Sequence, residues 1–461
     1  MKRTRILAGF LAAALFLLPL AACQQKEDET PTPVDTLELV ESLTYDELTP
    51  TASLVLYVPV SAEAQIRPLI NQYQELYDVE VEVVRVEGDY EVYAERVAND
   101  LAGGTGPDVL FLDYLDMDIA KAALNNNFLD LTDILTEDPH FSEDDYLDGV
   151  FEAGRFGGRQ YTIPLSFFLP LFLSAQTRLE ELGFHWDQIE TTSDFLEEIS
   201  RLTPEVQQNV AFNQMLESQN SFWQFDRASG ISLLDYEKNT ILPDEESLSE
   251  YLHAYKAYFP YDYLTQAGMF TGTASNYGVN DLVRGKFFFW PASMFIADLT
   301  WNMDALIEAS CGYALSVLPS QTGDIVGSID GQMAINVNTK NPLNAYRFIK
   351  MMLSADVQSS RNPLLSYVPI HKEAIKAIIS GTYTFDVAGT TYGGRQSAYL
   401  TEEELDTIIE TLTAVDQFTQ PASASVNNIM WETMLPFFRD EKSYEECLDD
   451  LRNKLTLYLS E

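Results

Sequence analysis

Four aspartates crowd one short stretch, TGPDVLFLDYLDMD at residues 105–118: Asp108, Asp113, Asp116 and Asp118. Carboxylates at this density suit a cation site or an acid–base pair, and both uses require oxygens that converge. The apolar run Val109 to Leu112 separates Asp108 from Asp113, and an extended strand would hold them about 15 Å or more apart. The four therefore read as separate groups. Asp108 opens the strand at its far end, bonded to backbone. Asp113 emerges at the carboxyl end beside Tyr114, where it suits a ligand acceptor and a helix N-cap equally. Asp116 and Asp118 fall in the first turn of the next helix, where negative charge complements the dipole.

Other chemistry finds little support. The four histidines, His140, His185, His253 and His371, are scattered, with no H-x-x-x-H or HExxH spacing, so no metal site is expected. SEDDYLDG at 142–149 lacks the ligand spacing of a calcium loop. No Walker A motif or G-x-S-x-G elbow occurs, so no cofactor or nucleophile is expected. With 71 Asp and Glu in the chain, chance carboxylate pairs abound and are no argument for catalysis. Aromatics say more, because a sugar stacks its C–H face on a ring and needs polar partners for its hydroxyls. Trp223, in NSFWQFD, has polar neighbours that suggest a surface; Trp290, in FFFWPAS, sits in an apolar run that favours a core.

These residues need a scaffold, and the pattern of elements supplies one. SLVLYVPV (53–60) is a strand-length apolar run, and Ile66, Leu69, Ile70, Tyr73 and Leu76 form a helical stripe after it. VEVEVVRV (79–86) alternates as a strand. Ala94, Val97, Ala98 and Leu101 then make a second helix, stopped at Gly103–Gly104 before the aspartate-rich strand. Strand–helix–strand–helix–strand predicts a parallel sheet with crossover helices, whose ligands bind beyond the carboxyl ends of the strands. Further strands are expected at 157–174, interrupted by Pro164 and Pro170, at 284–294 and at 313–319, with mostly helix over 187–258. A helix is expected after Asn341 and Pro342, and two late helices open with Thr401–Glu404 and Ser443–Glu446 capping boxes.

At 461 residues the chain has room for two lobes, and 46% hydrophobic with 12% aromatic residues is a globular composition. Its 28 Lys and Arg against 71 Asp and Glu give a formal charge of −43, which opposes nucleic acid or an anionic membrane surface as partner. MKRTR followed by the apolar run 6–20 predicts a secretory signal. LAAC at 20–23 resembles a bacterial lipoprotein signal, with Cys23 as the lipid-bearing residue of a chain of charge about −46. Residues 23–50 predict an acidic, proline-bearing linker from that anchor. Of the other cysteines, Cys447 lies on an apolar helix face and predicts a buried thiol; spacing leaves a Cys311–Cys447 bridge open.

Several segments in order resemble the extracellular solute-binding proteins of ABC importers, the maltose and multi-sugar type. They are GTGPDVLFLD, GGRQYTIPLSFFLPLF, LVRGKFFFWPASM and the block from LP to SIDGQMAINVNTKNPLNAYRFIKMMLSADVQ, together spanning roughly residues 50–370. Phe288–Phe289 and Asp330–Gly331 depart from the family's small and double-glycine pairs, and residues 371–461 match no pattern.

The resemblance implies a two-lobed α/β periplasmic-binding-protein fold, type II-like, with hinge crossover strands. It places lobe one at 51–166 and 293–338 and lobe two at 167–292 and 339–461, after a signal peptide at 1–22. It implies a ligand site at Ser61, Asp113, Tyr114, Phe168, Trp223, Trp290, Gly331, Gln332 and Tyr367, with Gly331 and Gln332 closing a strand-to-turn element. The implied protein is a non-catalytic, monomeric receptor, exported and lipid-anchored to the outer face of the cell membrane, that delivers a small-molecule solute, a carbohydrate, to an ABC permease. A secreted glycan hydrolase with a carboxylate pair, and a receptor for a peptide or other non-sugar solute, are the alternatives.

Overall fold

The computed structural model describes residues 47–461 apart from 52, 116, 210–213, 217–221, 263–277, 295, 366, 388–389 and 461. The signal, Cys23 and nearly all of the linker thus lie outside the described residues, as does Asp116. Among the described residues no helix is long and apolar enough to cross a membrane.

The expected alternation of strands and helices is present. β1 (Ser53–Pro59), α1 (Glu63–Tyr77), β2 (Glu80–Val86), α2 (Tyr90–Ala102) and β3 (Val109–Phe111) follow one another, and β1 pairs in parallel with both β2 and β3. Period-two alternation decides the faces of β1. Leu54, Leu56 and Val58 enter one core with Ile66, Leu69, Ile70 and Tyr73 of α1, while Tyr57 enters another with Tyr93 and Val97 of α2. α3 (Ile119–Leu124) follows on that second face.

β4 (Thr162–Phe168) and β5 (Leu171–Ala175) are adjacent in sequence but belong to different sheets. Leu169 and Pro170 carry the chain between them. The larger sheet runs β10–β4–β9–β3–β1–β2, where β9 is Val326–Ile335 and β10 is Val368–Pro369, and β11 (Gln417–Thr419) pairs beside β9. The smaller runs β8–β5–β7–β6, where β6 is Gln214–Leu216, β7 is Phe287–Pro291 and β8 is Tyr313–Val317.

α4 (Thr192–Asn209), α5 (Phe222–Ser229), α6 (Glu245–Tyr258), α10 (Ala424–Phe438) and α11 (Tyr444–Ser460) share a core with Phe172 of β5 and Phe289 of β7. Cys447 is fully buried there, as the helix face predicts, and both Cys447 and Cys311 are free thiols.

Two lobes are present, but their sequence ranges differ from the expected ones. β8, expected in lobe one, pairs with β5 in the smaller sheet. α7 (Pro342–Met352), expected in lobe two, packs Ala345, Phe348 and Ile349 against the core of the larger sheet. The tail supplies α8 (Lys372–Ser380), α9 (Glu402–Thr413) and β11 before the last two helices.

Both expected capping boxes form: Thr401 and Glu404 bond reciprocally, as do Ser443 and Glu446. Asn341 precedes α7 as expected but does not cap it; its Nδ2 donates to Asp108 at 2.9 Å. Asp108 is a structural carboxylate, accepting also from the Val55 N–H at 2.6 Å.

Candidate ligand-binding cleft

β3 ends at Phe111 and gives way to a tight turn, Leu112–Tyr114, that carries Asp113 out of the sheet. Its carboxylate receives the N–H of Gly331 at 3.0 Å and of Gln332 at 3.3 Å, both from β9. The next α-helix begins only at Ile119 and is capped by Asp118, so Asp113, inside the turn, does not cap it. Gly331 lies inside β9 rather than in a strand-to-turn element, and the β4–β9 register runs unchanged past it. Its φ of +81° turns the backbone locally, and a Cβ there would lie 2.4 Å from Ser166 Oγ. Only glycine fits. Asp113 keeps open surface toward a cleft but stands deep among protein atoms. That desolvation, with repulsion from Asp330, pushes its carboxyl up to about 7 against the two backbone donors.

The cleft holds a cavity of about 1330 Å³, at whose walls Asp113, Tyr114 and Gln332 meet Tyr90, Asp226, Arg227, Asp330 and Gln420. Tyr90 and Tyr114 stack at 5.1 Å with 11° between ring planes, and Tyr90 is 45% exposed, a flat aromatic platform beside the Asp113 carboxylate. Gln332 and Gln420 exchange amide hydrogen bonds of 2.9 Å, and Thr162 Oγ1 donates to Gln332 at 3.0 Å. Arg227 reaches from α5 to β9: it donates to Ser328 Oγ at 3.2 Å and to the Ser328 carbonyl at 3.3 Å, with its guanidinium 4.6 Å from the Phe168 ring. Burial pushes Asp226 up to about 7 despite the opposing Arg227, and raises Asp330 likewise.

Further contacts cross from one core to the other at the rim. Asp118 caps α3 by accepting from the Lys121 N–H at 3.0 Å, and its Oδ2 also accepts from Tyr236 and, at 2.9 Å, from Tyr458 of α11. The Gly157 N–H donates to Glu237 at 2.9 Å. Asp118 is thus an inter-lobe contact as well as the helix-terminal carboxylate its position predicts.

The nine expected ligand residues do not all converge. Asp113, Tyr114 and Gln332 line the cavity, and Gly331 stands behind Asp113 as a donor. Phe168 is buried beneath Arg227, with Tyr367 edge-on to it at 5.9 Å. Ser61, Trp223 and Trp290 are not among the lining residues. Ser61 is exposed in the turn after β1, Trp223 packs on Phe222 and Trp431, and Trp290 pairs with Leu173 in the smaller sheet. Sequence reasoning missed Tyr90, Asp226, Arg227, Tyr236 and Gln420. Tyr90 alone carried a usable sign, an aromatic opening the helix after the second strand.

Residues 59–359 match the family model described as bacterial extracellular solute-binding protein. Among solved structures, the sugar-binding protein MalE from Xanthomonas citri aligns with a TM-score of 0.63 at 14% identity, covering 88% of this chain and 97% of that one. The GacH receptor of Streptomyces glaucescens, solved free and with acarbose, aligns at 0.55 and 16% identity, covering 89% and 98%. UgpB from Mycobacterium tuberculosis, in complex with glycerophosphocholine, aligns at 0.55 and 17% identity, covering 89% and 99%. These likenesses show the fold. No curated protein sequence matches the chain.

Proposed function

The chain belongs to the bacterial extracellular solute-binding proteins, and from that premise we propose that it is a monomeric, lipid-anchored receptor that binds a carbohydrate and delivers it to an ABC importer. The observation that carries the carbohydrate reading is the Tyr90–Tyr114 platform beside the Asp113 carboxylate. Stacked rings suit the C–H face of a pyranose, and the carboxylate and glutamine amides suit its hydroxyls. The volume of about 1330 Å³ exceeds the roughly 300–1,000 Å³ of drug-sized sites and favours an oligosaccharide over a single sugar. The MalE and GacH alignments support the same solute class.

The hinge is assigned to residues 169–170, 318–325 and 420–423, where the chain passes between the two sheets or their cores. A solute touching both lobes favours the closed population, which the permease would recognise. Cys23 would anchor the receptor on the outer face of the membrane.

Carboxyls held near neutrality also occur in glycoside hydrolases, so binding and turnover must be read together. Thermal-shift titration against panels of oligosaccharides and peptides, with mass spectrometry of each mixture, does this. Saturable stabilisation without products supports the receptor. Appearance of shortened glycans would replace it with the hydrolase, and a shift given only by peptides would replace the carbohydrate.

A further inference from the structure

Arg227 belongs to α5, whose Phe222, Phe225 and Ala228 join the core around Phe172 and Phe289, yet its side chain ends at the larger sheet. Phe168 and Ser328 pair directly across β4 and β9, and the guanidinium engages both. Its Nε donates to Ser328 Oγ at 3.2 Å, and one terminal nitrogen donates to the carbonyls of Ser328 at 3.3 Å and Ile329 at 3.5 Å. The cation stands 4.6 Å from the Phe168 ring centre and 5.8 Å from that of Tyr367, and these two rings fix each other edge-on at 5.9 Å. A side chain from one lobe thus ends in a socket built by the other.

The socket stands beside the hinge. Phe168 is the last residue of β4, immediately before the crossing at Leu169 and Pro170, and Ser328 lies near the start of β9, just after the crossing at 318–325. α5 is held to that second crossing as well. The Gln321 N–H donates to the Ser229 carbonyl at 2.8 Å, and at Gly230, with φ +69°, a Cβ would lie 3.1 Å from Val326 Cγ2. Groups close to a hinge travel least when two lobes turn about it. Asp226, next to Arg227, and Asp330, two residues beyond Ser328, both line the cavity, so the contact ties a wall from each lobe.

We propose that Arg227 is a positioning residue, a pivot pin that stays in its socket in the open and closed forms alike and sets the spacing of the two cavity walls. This rests on the receptor reading for its purpose. A guanidinium suits the role because its planar fork presents N–H groups to Ser328 while an aromatic ring takes its charge; an ammonium has the charge without the fork. Its hydrogen bonds go to Ser328 and Ile329 rather than to Asp226 or Asp330, so geometry and not charge balance is the function assigned to it.

The test is small-angle scattering of the solute-free full chain and of its Arg227→Gln, Arg227→Lys and Phe168→Leu variants, each checked for an intact melting transition. A radius of gyration about 1 Å larger than wild type, on a compact-chain value of about 22 Å, with a broader distribution of interatomic distances, is expected in all three. A wild-type radius in Arg227→Lys beside an enlarged one in Arg227→Gln overturns the socket and leaves only charge. Wild-type radii in both, folded, overturn the pin. Where neither Arg227 variant folds, Phe168→Leu decides: an enlarged radius supports the pin and a wild-type radius overturns it. No solute enters these measurements, so failure of every glycan to bind would remove the carbohydrate reading without touching the pin.

Discussion

The hydroxyl of Tyr458 in the last helix donates to the carboxylate of Asp118, 340 residues earlier in the chain, at 2.9 Å. Tyr236 donates to the same oxygen. One carboxylate at the start of α3 thereby gathers hydroxyls from two elements packed on the other core. A hydrogen bond to a charged group is worth about 1.5–3 kcal/mol at most, enough to bias closure without locking it.

Replacing Tyr236 and Tyr458 together with Phe should loosen this rim contact. Solute affinity is expected to fall by about five- to tenfold, and the radius of gyration from small-angle scattering should increase. Unchanged values for both would make the contact incidental to closure.

The platform gives a second expectation. Tyr90→Ala removes an exposed ring that stacks on Tyr114 and should weaken carbohydrate binding by about 1–2 kcal/mol with little change in melting temperature. A larger thermal loss than binding loss would instead assign Tyr90 to folding.

Gly331 is a third. Its φ of +81° strains any L side chain, and a Cβ there would lie 2.4 Å from Ser166 Oγ, so the serine would have to rotate away. Gly331→Ala should destabilise the protein by about 2 kcal/mol or more and displace the donors to Asp113. A melting temperature equal to wild type would contradict the geometry.

The carboxyls at Asp113 and Asp226 make stability depend on pH in an unusual direction. Their folded values, about 7, lie above the unfolded carboxylate range, so the native state holds more protons across the interval between. Their contribution is most favourable below about pH 4 and is lost as pH rises through about 7. Asp226→Asn should therefore match wild type near pH 4.5 and exceed it at pH 8 by about 1 kcal/mol or more, after allowing for water in the cleft. Denaturant melts at the two pH values check this, and a variant less stable than wild type at pH 8 would reverse the sign.

The readable parts of the chain are those governed by local periodicity. β1, α1, β2, α2 and β3 follow from alternation and helical stripes, and Asp113's place at the cleft was legible because the turn after a parallel strand lies at the strand's carboxyl end. Other residues depended on distant partners. Trp223 has polar sequence neighbours, yet its ring rests on Phe222 and on Trp431, some two hundred residues later. The wall around Asp226 and Tyr236 lies in a helix and a loop without motif chemistry. β11 is three residues long and exists only because β9 offers it an edge. The two lobes follow from the family resemblance, but their ranges were misdrawn at β8 and α7, whose partners are set by tertiary pairing rather than local pattern.

The central claim is that a carbohydrate binds in the cleft against Asp113 and Tyr114. Isothermal titration of an oligosaccharide into wild type and into Asp113→Ala/Tyr114→Ala tests it most directly. A saturable one-to-one heat is expected in wild type and is lost, or weakened at least about a hundredfold, in the double variant. Undiminished binding in a folded double variant would contradict it.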